Sequence, residues 1–244
     1  MIARKELKIL FSSPLAWVVL ALVQSVLTAI FLAHLDTFLQ IQPQLIRIAN
    51  PPGVTEAVVV PLFAMAAIVL LMITPLLTAR LIAEERRNHT LPFLVSAPVS
   101  ITEIVLGKFF VLMIFLSAAI ALVVALPISL LAGGSLDFGL LLSNIAGLLL
   151  ISACFASLGL YISCLSAQPA TAGAGAIGVL LGLWVIDNAV SEEGSAVRDF
   201  SLFARFESFN QGMIDTFDLA YFALFILFFL ALSIRWLDGE RLRG

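Results

Sequence analysis

The chain has 244 residues, of which 61% are hydrophobic and only 12% charged, with a net charge of −3 and a mean hydropathy of +1.12. Soluble domains carry about 25% charged residues, and half that supply cannot cover a water-exposed surface. A water-soluble fold is excluded, and the composition implies an all-α membrane protein that crosses the bilayer several times. No nucleic-acid partner is expected of such a chain.

Residues 1–13 mix Ile2, Leu7, Ile9, Leu10 and Phe11 with Arg4, Lys5, Glu6 and Lys8. That pattern predicts an N-terminal interfacial amphipathic helix. The uncharged run that follows is too long for a signal-peptide core and lacks a small-x-small cleavage site. It is read as an uncleaved first span, at about 14–35. A polar loop with three prolines is expected over 36–56, and a second span, containing Pro61 and Pro75, over 57–79.

A charged stretch occupies 80–105, and a third span follows at about 106–132. Residues 138–186 hold no charge and are too many for one helix of about 20 residues. Ser166-Ala167-Gln168-Pro169 supplies the break, giving a fourth span at about 140–165 and a fifth at 170–187. Cys154 and Cys164 lie in the fourth span, about 15 Å apart along a helix axis. They read as small core residues, not as a disulfide pair. A long loop at 188–218 precedes the sixth span, at about 219–237.

With six spans, both termini share a side with the 80–105 loop. That side carries Arg4, Lys5, Lys8, Arg80, Arg86, Arg87, Lys108, Arg235, Arg241 and Arg243, whereas the other carries only Arg47, Arg198 and Arg205. The positive-inside rule therefore predicts that both termini and the 80–105 loop are cytoplasmic, with 188–218 extracytoplasmic. A five-span topology would leave the basic C-terminus outside.

The 80–105 stretch encodes more than a connection. Arg80–Arg87 can continue the second helix past the bilayer, with basic residues near its partially negative end, and Asn88-His89 breaks it. Thr90 is a candidate N-cap for a short transverse helix with Leu91, Phe93, Leu94 and Val95 on its apolar side, ended by Ala97-Pro98. Ser100-Ile101-Thr102-Glu103 has the form of a capping box that opens the third span. A simple turn needs about 2–8 residues, so the stretch reads either as a solvated loop or as a docking element for a cytoplasmic partner.

Glu84-Glu85-Arg86-Arg87-x-x-Thr90-Leu91-x-x-Leu94-x-Ser96-x-Pro98-x-Ser100-x-x-Glu103-x-x-x-Gly107-Lys108-Phe109 resembles the first cytoplasmic loop of ABC-2 type transporter permeases. In that family the loop holds the coupling helix, which sits in a groove of the ATP-binding subunit. Glu85 matches the acid at the helix end, Thr90-Leu91 the start of the coupling helix, and Ser96-x-Pro98 its end. Gly107-Lys108 matches the start of the next span. The departure is His89, where glycine usually precedes the threonine. The segment Phe206–Asp215 before the last span also matches. The chain is most similar to the short permeases of gliding-motility and copper-processing (nitrous oxide reductase maturation) systems. The resemblance implies the ABC-2 (type V) exporter fold in the inner (plasma) membrane. The implied docking residues are Glu84, Glu85, Arg86, Arg87, His89, Thr90, Leu91, Phe93, Leu94, Ser96 and Pro98.

Other motifs carry less. Glu84-Glu85 near His89 is similar to the acidic motif of membrane CaaX-type proteases, but the second histidine, His34, falls at the opposite face. No catalytic residues and no metal site are assigned. Gly173-Ala174-Gly175-Ala176-Ile177-Gly178 spells a dinucleotide-binding fingerprint, which needs a strand and a βαβ unit. In a span, Ala174, Gly178 and Gly182 instead form a small-residue seam, for a second permease or for packing within one subunit. Phe200, Leu202, Phe203, Phe206 and Phe209 interleave with Asp199, Arg205 and Glu207, which predicts an amphipathic helix at the outer interface. In the family such helices close the pathway, so Phe203, Phe206 and Phe209 are candidate gate residues; a plain interfacial anchor fits equally. Gln24, Ser25 and Thr28 are the polar residues of the first span that suit a pathway.

No Asp, Glu, Lys or Arg lies within a span away from its ends, which argues against a proton- or sodium-coupled carrier. No Walker A sequence occurs, so ATP and Mg are expected on a partner ATPase subunit and not on this chain. The expected complex is a dimer with a second permease copy or paralogue, two ATP-binding subunits and membrane lipid. A periplasmic auxiliary protein is a further candidate partner. The expected function is ATP-driven export or extrusion of an amphipathic, lipid-like or other cargo. The alternative is a mechanotransmission or scaffold subunit that acts on periplasmic partners and translocates nothing.

Overall fold

The computed structural model describes residues 14–45, 53–88, 100–132, 136–189 and 201–241. Among them no strand occurs, and six helices are long and apolar enough to cross a membrane. Helix α1 is Pro14–Leu45; a π-helical turn, Thr55–Val59, leads into α2, Val60–Leu81, which is followed by the short α3, Ala83–Arg87. Helix α4 is Ile101–Ser129, α5 Phe138–Leu165, α6 Pro169–Ala189, α7 Leu202–Asn210 and α8 Thr216–Arg241. The interfacial helix expected over 1–13 lies outside the described residues.

Helix ends sit where backbone groups find partners, not where charge begins. The Ser100 capping box forms in full: Glu103 N donates to Ser100 Oγ (3.2 Å) and Ser100 N to Glu103 Oε2 (3.1 Å). That starts α4 five residues before its expected apolar boundary. Asp137 Oδ1 caps α5, accepting from Gly139 N and Leu140 N. The break between α5 and α6 falls at Ser166–Gln168, as the Gln168-Pro169 pair predicts.

The expected loop at 36–56 is half helix. Helix α1 continues to Leu45, so its 32 residues extend about 48 Å, past a hydrocarbon core of about 30 Å. Asp36 ends the apolar run but not the helix: Gln40 Nε2 donates to its carboxylate at 2.9 Å, and Phe38 is buried against the bundle. Only Pro43, in the last turn, opposes the helix.

The core is built around α5. All ten residues from Ile151 to Leu160 are buried, so this helix has no lipid-facing stripe over that stretch. Its small residues, among them Ala153, Ala156 and Gly159, let neighbours approach closely, the usual means of association where lipid removes the hydrophobic drive. Helices α2, α4, α6 and α8 surround it, and α1 packs on α2 and α4. Helix α1 buries a single stripe, Ala16, Leu20, Val23, Leu27 and Phe31, and presents Trp17, Val18, Leu22 and Leu32 outward. Cys154 and Cys164 are both free and fully buried, filling core space.

The six long helices alternate in direction, which gives the bundle two ends. One gathers α3, the start of α4 and the ends of α5 and α8. The other gathers α7 with the starts of α2, α5 and α8.

Candidate docking site and the two ends of the bundle

At the α3 end, the helix that begins at Val60 loses its regular ladder at Ile82, where φ is −121° and ψ −42°. The hydroxyl of Ser163, from the last turn of α5, enters the gap. Ser163 Oγ accepts from Ile82 N (3.3 Å) and Ala83 N (3.1 Å) and donates to Ala79 O (3.4 Å). In a continuous helix Ala83 N would bond to Ala79 O itself. The chain then resumes as α3, which carries Glu84, Glu85, Arg86 and Arg87.

Two of those four charges are held inside the chain. Lys108 Nζ lies 2.7 Å from Glu85 Oε1, and the lysine side chain is only 1% exposed. A lysine so deeply desolvated needs a carboxylate partner, since neither charge alone tolerates the site. Arg86 Nη2 bonds to Glu240 Oε2 at 2.7 Å and to Cys164 O at 2.8 Å. The second contact satisfies a carbonyl in the last turn of α5 that has no partner within its helix. The short stem of α3 is thereby tied to α4, α5 and α8. Glu84 is half-buried, and Arg80 and Arg87 are exposed. Of the remaining candidates, His89, Thr90, Leu91, Phe93, Leu94, Ser96 and Pro98 lie outside the described residues.

Sequence reading missed Ser163 and Glu240, and took Lys108 as the mark of a span's start. Lys108 carried a usable signal, a charge eight residues into α4 with apolar residues around it. Ser163 carried none, because nothing local distinguishes it from the other serines of α5.

At the opposite end α7 is docked into the bundle and does not rest on its surface. Ser201 Oγ caps it, and Leu202, Phe206 and Phe209 are buried while Phe203 is half-buried beside Phe155. Phe209 sits against Gly147, where a Cβ would come within 2.6 Å of the Phe209 Cβ. Ser143 Oγ donates to Phe209 O (2.7 Å) and Asn210 Nδ2 to Val60 O (3.0 Å). Arg205 Nη1 pairs with buried Asp218 at 2.9 Å, and its guanidinium lies 4.7 Å from the Phe217 ring centre. The helix ends in a Schellman turn: Met213 N bonds to Ser208 O and Gly212 N to Phe209 O. Gly212, at φ +83°, adopts the left-handed conformation this turn requires.

The seam residues of α6 fall on its uncovered face. Ala174 and Gly178 are exposed, and neither Gly178 nor Gly182 has another group within 4 Å of where a Cβ would stand. Packing within the chain uses the other face, with Ala172 against Ala79 and Ala83 of α2 and α3. On α1, Gln24 and Thr28 are half-buried, and Gln24 Oε1 is buried with no hydrogen-bond partner among the described residues. Ser25, beside them, is exposed and donates to Ala21 O.

Six membrane-crossing helices around a small-residue core, with a polar stem fixed at one end, define a multi-pass α-helical membrane protein. Its sequence matches the model of the family described as ABC-2 family transporter protein over residues 1–211, and the chain belongs to that family. It is thus a permease subunit of an ABC transporter, and the family implies a separate ATP-binding subunit. No curated protein matches the chain.

Proposed function

We propose that this permease is driven through its 80–105 loop by the ATP-binding subunit, with the α3 end and both termini in the cytoplasm. The observation that carries the reading is the α3 stem. A loop needing only to join two spans has no use for a stem tied to three other helices, whereas a loop that receives force does. The ten-to-three distribution of basic residues supports the orientation. The working unit is two permeases, alike or paralogous, with two ATPase subunits that bind ATP and Mg. The uncovered α6 face of Ala174, Gly178 and Gly182 suits contact with the second permease. The buried Gln24 Oε1, without a hydrogen-bond partner among the described residues and near Thr28, suits a pathway between the two. Closure of the ATPases moves the segment Thr90–Ser96 and tilts the spans as rigid bodies. The docked α7, with Phe203, Phe206 and Phe209, then gates the outer end. An apolar or amphipathic cargo fits spans that carry no ionisable residue away from their ends.

One observation favours a second reading, transmission of force to a protein on the far side. The exposed Gln40, Gln42 and Gln44 on the outer extension of α1 offer such a protein a polar contact.

Co-expression with an ATP-binding subunit from the same genome, followed by purification, tests the first reading. A stable complex is expected, and charged residues at Phe93 and Leu94 should abolish it while membrane insertion persists. Recovery of the permease without any ATPase would refute the proposal, and normal assembly of the Phe93/Leu94 variant would remove the loop's role.

A further inference from the structure

The break at Ile82 has no local cause. Ala79-Arg-Leu-Ile-Ala-Glu-Glu-Arg-Arg87 contains neither proline nor glycine and is composed mostly of strong helix formers. Sharp interruptions arise at proline, at glycine or serine pairs, at π-bulges, or where a side chain enters the ladder. Only the last applies, and the side chain is Ser163. Its hydroxyl uses its full capacity there, accepting from Ile82 N and Ala83 N and donating to Ala79 O.

The alternative conformation leaves no backbone group of the break without a partner. If Ser163 withdraws, Ile82 N and Ala83 N recover Thr78 O and Ala79 O as ordinary helical partners, and the serine hydroxyl can bond back within α5. Both buried N–H groups are satisfied either way. What distinguishes the interrupted stem is downstream: it holds Glu85 on Lys108 and Arg86 on Glu240.

We propose that Ser163 is a positioning residue that bends the stem of the docking loop off the α2 axis. The Glu85–Lys108 pair then fastens the bent stem to α4. Force on the loop is thereby delivered to α4 and α8, not along α2 alone. This inference rests on the reading that the 80–105 loop docks the ATPase.

The test measures distances in the permease in lipid nanodiscs, with spin labels at Arg87→Cys and Asp238→Cys, both exposed positions, and measures ATPase rates separately in the unlabelled permease–ATPase complex. Native Cys154 and Cys164 are buried away from the label. Ser163→Ala should straighten the stem, shift the 87–238 distance distribution, and lower the permease-dependent ATPase rate about tenfold, within the usual range of coupling between sites. Ser163→Thr keeps the hydroxyl and should restore both. The double variant Glu85→Leu/Lys108→Met removes both charges of the pair together, so neither is left facing the other's vacated place. It should fold and lose the same ATPase response, and it decides the matter if Ser163→Ala does not fold. An assembled Ser163→Ala complex with an unchanged distance or an unchanged ATPase rate overturns the proposal, as does a fully active double variant. Absence of the ATPase from the unmutated preparation would instead count against the docking reading. In that case the label distances in the permease alone still report whether Ser163 makes the bend.

Discussion

Gly159 has no room to be anything else. A Cβ built there collides with the side chain of Thr78 on α2, whose hydroxyl donates to Pro75 O at 3.1 Å. Gly159→Ala should therefore destabilise the bundle by roughly 1–3 kcal/mol, the usual cost of overpacking. A lowered unfolding midpoint in detergent checks this; Gly178→Ala, in open space, is the control expected to leave it unchanged. In the sequence both glycines look alike, one in each of two apolar runs. Only the facing helix distinguishes them.

Among the elements, α7 differs most from its sequence-level expectation. The alternation of Phe and charge over 200–209 marks a helix with two faces, and the helix is present. The pattern cannot say whether the apolar face meets lipid or protein, because both are equally dry. Gly147 decides it: the missing side chain on α5 makes the recess that Phe209 fills. Arg205 and Asp218 then lie together under partial cover, and their pairing ties α7 to the start of α8. Asp218→Ala is expected to destabilise the bundle and to loosen α7 from the start of α8. Faster cleavage by added protease between residues 201 and 216 would report it. The same cleavage rate in wild type and variant would mean that the packing of Phe206 and Phe209 alone holds the helix.

For the whole molecule, polar structure is concentrated at the two ends and the interior is held by close packing of small residues. The α3 end carries Glu85–Lys108 and Arg86–Glu240, and the α7 end carries Arg205–Asp218. The orientation proposed here predicts that a single reactive cysteine at Arg87 is labelled by an impermeant reagent only after the cells are opened, and one at Gln42 in intact spheroplasts. The reverse pattern would invert the topology and place the stem out of an ATPase's reach.

Sequence alone determined the class, the six spans and the placement of several helix starts. Those features rest on hydropathy, charge counts and short-range caps such as Ser100–Glu103, which act over one or two turns and so are written in consecutive residues. It also marked Glu84–Pro98 as the stretch to watch. Tertiary structure decided what holds that stretch. Ser163 lies 80 residues from Ala83, and Glu240 lies 154 from Arg86. No local pattern encodes a hydroxyl entering another helix's backbone, or a buried lysine meeting its carboxylate. Such contacts exist only once the helices have packed.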